Sequence, residues 1–103
     1  MKDILKLAIA SCNSGDLVGA ISHCQHALGQ EPENHDAMHL LGTLLLQQGD
    51  YTPAIDQLQK ALTCDPHPAD WQFDLGNAYL QKGDYDSAVD AYRAALSNSH
   101  NPL

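Results

Sequence analysis

Residues 75–96 carry Leu75-Gly76-Asn77-Ala78-Tyr79, then Gly83-Asp84-Tyr85, Ala88, Tyr92 and Ala95-Leu96. Thirty-four places earlier the skeleton stands as Leu41-Gly42, Leu45, Gly49-Asp50-Tyr51, Ala54, Leu58 and Ala61-Leu62. Another such step back gives Leu7-Ala8, Gly15-Asp16-Leu17, Ala20, Cys24 and Ala27-Leu28. Apolar residues three and four apart on both sides of a Gly-Asp step predict two helices per copy, joined by a tight turn. Three copies predict an all-α chain of six helices, whose core is a seam between stacked copies.

The predicted helices run from about Lys2 to Ser14, Val18 to Gly29, Asn34 to Gln48, Thr52 to Cys64, Pro68 to Lys82 and Asp86 to Ser97. Gly15, Gly49 and Gly83 end the first helix of each copy, because a left-handed residue costs least without a β-carbon. Thr52-Pro53 reads as a helix start, with a hydroxyl cap and proline at the first helical position. Asp86 reads as the corresponding cap in the third copy. Pro32 and Asp65-Pro66 close the first two copies, and residues 98–103 read as a frayed tail. The inward stripes are Ile4, Leu7, Ala8 and Ser11; Ala20, Ile21, Cys24, Ala27 and Leu28; Met38, Leu41, Gly42 and Leu45; Ala54, Ile55, Leu58, Ala61 and Leu62; and Ala88, Val89, Tyr92, Ala95 and Leu96. Ala8, Gly42 and Gly76 are predicted to lie opposite Ala20, Ala54 and Ala88, small residues that let paired helix axes approach closely.

A 34-residue period with this pattern resembles the tetratricopeptide repeat family, over residues 1–34, 35–68 and 69–102 of a single domain spanning 1–103. The resemblance implies a right-handed superhelical α-solenoid and a protein- or peptide-binding scaffold. It also implies a concave groove lined by the first helix of each repeat. The candidate groove residues are Leu5, Ile9, Asp36, His39, Leu40, Thr43, Asp70, Phe73, Asp74 and Asn77, and the same face includes Lys2, Lys6, Cys12, Asn13, Leu46, Gln47, Leu80 and Gln81. An apolar floor with an acidic rim at Asp36, Asp70 and Asp74 suits a basic, amphipathic segment. Relatives that hold the acidic tail of cytosolic chaperones use a clamp of Lys, Asn and Arg. Leu5, Ile9, Leu40, Asp70 and Asp74 stand at the matching places here, so that activity is not expected. Trp71, one place before the family's tryptophan position, is predicted to pack against the second helix of the preceding repeat; the other reading makes it a groove anchor.

The formal charge of −8, from 13 acidic and 5 basic side chains, repels phosphates and makes nucleic acid and anionic membranes poor partners. Cys12, Cys24 and Cys64 form no CxxC pair, which suits reduced thiols in a cytoplasm, with Cys24 a small buried apolar residue. The apolar run before Cys12 is interrupted by Asp3 and Lys6 and is too short for an export signal. His35 with His39, and His23 with His26, share helix faces, but two ligands do not make a metal site, and no cofactor is expected. No phosphate loop or nucleophile–base arrangement is present, so no catalysis is expected. Two further readings remain. Met38-His39-Leu40-Leu41-Gly42 and Leu75-Gly76-Asn77-Ala78 resemble repeat regions that position substrates for larger bacterial glycosyl-, sulfo- or methyltransferases. Alternatively, Val89, Tyr92 and Leu96 on a last helix with no polar cap give a self-assembling module.

Overall fold

Gly15, Gly49 and Gly83 adopt φ of 84°, 88° and 93°, the left-handed conformation that ends a helix and reverses the chain. Around these turns the computed structural model describes residues 2–64 and 68–99, with side chains described from Lys6 to Ser97. The elements are α1 (Lys2–Asn13), α2 (Leu17–Gln30), α3 (His35–Gln48), α4 (Tyr51–Ala61), α5 (Ala69–Lys82) and α6 (Tyr85–Ser99). Helices pair as α1 with α2, α3 with α4 and α5 with α6, while α2 on α3 and α4 on α5 stack the pairs. The result is an all-α, right-handed superhelical solenoid.

Several helix starts differ from the sequence expectation. Asp16 caps α2 by accepting from the Gly19 amide at 2.9 Å, so the helix begins at Leu17, not Val18. Asp84 accepts from the Ser87 amide at 3.3 Å, which makes it the side-chain cap in place of Asp86. Asp50, not Thr52, occupies the cap position of α4, without a side-chain cap bond. Thr52 and Pro53 therefore lie inside the first turn. Proline fits there because the first-turn amides lack intrahelical partners. The chain leaves α4 at Ala61 and passes through a looser turn, with the Thr63 amide bonded to Lys60 O, instead of continuing to Cys64. Helix α6 runs on to Ser99, beyond the predicted Ser97. Asp65-Pro66 and residues 100–103 of the predicted tail lie outside the described residues.

Three buried clusters form the seam. Ala8, Ala20, Ile21, Cys24, Leu41 and Leu44 join α1 to α3. Met38, Ala61 and Trp71 bridge α3, α4 and α5. Ile55, Leu58, Leu75, Ala78 and Ala91 join α4 to α6. Small residues do mark close approach, but the facing atoms are larger than expected at two sites. A β-carbon on Gly42 would lie 2.7 Å from Leu58 Cγ, and one on Gly76 2.6 Å from a Tyr92 ring carbon. Leu7, Val89 and Leu96, predicted to face inward, are exposed. Leu7 and Val89 occupy stripe positions on α1 and α6, where no further helix among the described residues covers them.

Cys24 is fully buried, and burial, aided by nearby Cys12, pushes its thiol up to about 11. Iodoacetamide at pH 8 should therefore modify the partly exposed Cys12 and Cys64 within minutes while Cys24 stays unmodified until urea unfolds the chain. Mass spectrometry of digested protein reads this directly. The thiol's raised value also means that stability falls between pH 9 and about 11, as the unfolded chain releases this proton first.

Candidate ligand groove

Helices α3 and α5 touch directly, which brings their equivalent side chains onto one face. Across this junction His39 Nε2 lies 2.6 Å from Asp74 Oδ2. An ionised carboxylate only accepts, so the ring nitrogen donates. Trp71 stacks on the other face of the interaction: its ring lies 4.6 Å from the His39 ring with planes 10° apart. Trp71 thus fulfils the packing expectation through Met38 and Ala61, and also fixes the orientation of a candidate groove residue.

A second set of contacts ties α5 to α6. Tyr92 donates to Asn77 Oδ1 at 2.5 Å, and the Phe73 and Tyr92 rings lie 6.1 Å apart at 44°. Tyr92 is half-buried and touches two candidate groove residues, a role its placement on the inward stripe did not reveal. One signal was available: Cys24 and Leu58 hold the equivalent places in the first two copies, and only the third supplies a ring with a hydroxyl.

The remaining candidates divide by exposure. Ile9 and Leu80 are exposed, Leu40 is half-buried against the first cluster, and Thr43 donates to Leu40 O at 2.9 Å. Asp36 and Asp70 are exposed in the first turns of α3 and α5, while Asp74 is occupied by His39. The side chain of Leu5 lies outside the described residues. A shallow hollow beside α5 and α6, bordered by Gln72, Tyr79, Ser87 and Asp90, includes none of the candidate groove residues.

Three of the four paired histidines, His26, His35 and His39, are bonded to other side chains. His35 bonds Thr63 Oγ1 at 3.0 Å and His26 bonds Gln30 at 3.0 Å, each away from its sequence partner. Among the described residues no three or more His, Cys, Asp or Glu side chains gather as a metal site. Nor is any helix among them long and apolar enough to cross a membrane.

A family model described as tetratricopeptide repeat matches residues 5–67 and again residues 39–101. Among solved structures, a mutant O-GlcNAc transferase from Thermobaculum terrenum is 31% identical with a TM-score of 0.88, over 95% of this chain and 19% of that one. MamA is 26% identical with a TM-score of 0.90, over 95% of this chain and 57% of that one. The N-terminal domain of stress-induced protein-1 from C. elegans shares the fold at 19% identity and a TM-score of 0.84, over 97% of this chain and 84% of that one. The chain thus spans about a fifth of the transferase and just over half of MamA. No curated protein matches it.

Proposed function

The chain belongs to the tetratricopeptide repeat family, and from that premise we propose a non-catalytic scaffold whose α1–α3–α5 face grips a basic, amphipathic polypeptide segment. The observation that supports this reading is the set of accessible apolar side chains and exposed acids on the first helices of the three repeats. Ile9, Leu40, Phe73 and Leu80 supply the apolar contact, and Asp36 and Asp70 stand exposed at equivalent first turns. Burial of apolar side chains supplies affinity, while the carboxylates set sign and register. His39–Asp74 and Asn77–Tyr92 hold the wall rigid and lower the cost of ordering it on binding.

The test is a fluorescence-anisotropy titration with a labelled Lys/Leu amphipathic peptide and its Glu/Leu counterpart. The lysine peptide should bind and the glutamate peptide should not. Phe73→Ala should weaken binding by about 2 kcal/mol, roughly 30-fold. Asp36→Asn with Asp70→Asn should cost less and flatten the salt dependence, since exposed charges are screened. Equal binding of both peptides, or an unchanged Phe73→Ala variant, would overturn the assignment.

A second reading draws on the 31% identity with part of the O-GlcNAc transferase: the same face positions a polypeptide for a transferase domain. A transferase domain encoded in the same reading frame supports it, and a frame without one removes it.

A further inference from the structure

One contact is made twice within the chain. Ile21 and Cys24 of α2 share a buried cluster with Leu41 and Leu44 of α3. Thirty-four residues on, Ile55 and Leu58 of α4 share a cluster with Leu75 and Ala78 of α5. A further step carries the outgoing half to Val89 and Tyr92 of α6, and a step back carries the incoming half to Leu7 and Ala10 of α1. Exposure separates the paired from the unpaired copies. Leu41 and Leu75 are 4% and 7% exposed, whereas Leu7 is 52% exposed. Ile21 and Ile55 are 9% and 7% exposed, whereas Val89 is 45% exposed.

We propose that α6 of one copy of this chain docks on α1 of the next, head to tail, forming the contact a third time. The two halves lie on α6 and α1, at opposite ends of the stack. The register agrees as well: Leu41 follows Ile21 by twenty residues, and Leu75 follows Ile55 by the same interval. Because three periods span 102 residues, Leu7 of a second copy falls where the residue twenty places after Val89 would stand. Charge favours this pairing over a symmetric one. By sequence, residues 2–13 sum to +1 (Lys2 and Lys6 against Asp3) and residues 85–99 to −1 (Arg93 against Asp86 and Asp90). Pairing α6 with α6 would oppose like charges. A heterologous contact of this kind does not close on itself after two copies, so copies add beyond the dimer, as a filament or a larger ring. The contact is centred on Val89 and Leu7, which are not candidate groove residues; Tyr92, bonded to Asn77, belongs to both surfaces, so the substitutions that test the docking are placed at Leu7 and Val89.

Sedimentation velocity over a concentration series tests it with wild type, Leu7→Glu, Val89→Glu and an equimolar mixture of the two variants. Wild type should grow past a dimer as concentration rises. Each variant alone should need at least about tenfold more protein to associate, because every copy lacks the same half of the contact. The mixture should recover a one-to-one dimer and nothing larger, since Leu7→Glu retains a sound α6 and Val89→Glu a sound α1. Circular dichroism checks folding, and Ala10→Arg on the same face of α1 replaces Leu7→Glu if helicity falls. A wild-type monomer at every concentration overturns the proposal. So does a mixture that does not pair, or a Leu7→Glu variant that associates like wild type, which would mean that α6 binds itself or some other surface. Peptide titration of the same variants should be unchanged, which keeps this result distinct from the groove.

Discussion

Trp71→Ala should lower stability by about 3–5 kcal/mol, the range for removing a large aromatic side chain from a core. The indole is 8% exposed and bridges Met38 of α3 and Ala61 of α4 from its position on α5. Its removal leaves a void walled by three helices from two repeats, and backbone held by two other clusters cannot collapse into it. A second loss follows, because the stacked His39 ring loses the surface that orients it towards Asp74. His39→Ala separates the two effects. That contact is a fifth to a third exposed, so its removal should cost about 1 kcal/mol, well below the loss of the indole. Against a total of about 5–15 kcal/mol for a domain this size, only the tryptophan change approaches loss of the fold. Urea unfolding followed by circular dichroism measures both. A Trp71→Ala variant within about 1 kcal/mol of wild type would show that the ring is not structural.

The six-helix order was legible because the 34-residue period states the same amphipathic pattern three times. Gly15, Gly49 and Gly83 were readable for a local reason: their left-handed φ concerns one residue and its neighbours. The starts of α4 and α6 were less so. Thr52-Pro53 and Asp86 satisfy the helix-start rules, but so do Asp50 and Asp84, and folding selects the latter pair. Leu7, Val89 and Leu96 show a different limit. Periodicity tells which side of a helix is apolar, whereas burial depends on another helix lying against that side. Among the candidate groove residues, Phe73, Asp74 and Asn77 could be placed on one face by register, but their ties to Tyr92 and His39 could not. His39 and Asp74 occupy different places in their repeats, and the short contact follows from the offset between neighbouring helices.

Leu58→Ala should cost about 2–5 kcal/mol, and Gly42→Ala about 1 kcal/mol, yet together they should cost less than their sum. Leu58 is 1% exposed, so its loss opens a cavity that solvent does not reach. Gly42 faces the same atoms: an added β-carbon meets Leu58 Cγ at 2.7 Å, Leu58 Cδ2 at 2.8 Å and the Ala54 carbonyl oxygen at 3.2 Å. Alanine gains about 1 kcal/mol over glycine in helix propensity. Overpacking, at about 1–3 kcal/mol, outweighs that gain because Leu58 has no solvent to move into and the Ala54 carbonyl is part of a helix. Removing the Leu58 branch relieves the clash and lets the new methyl fill part of the void. The double-mutant cycle should therefore show a favourable coupling of about 1 kcal/mol or more, whereas additivity within about 0.3 kcal/mol would mean the two sites do not share this space. Gly29 is the control. No atom lies within 4 Å of its hypothetical β-carbon, so Gly29→Ala near the end of α2 should leave stability unchanged or raise it by up to about 1 kcal/mol. Opposite signs at Gly29 and Gly42 would separate backbone propensity from close helix packing, the feature that fixes the angle within each repeat and hence the curvature of the solenoid.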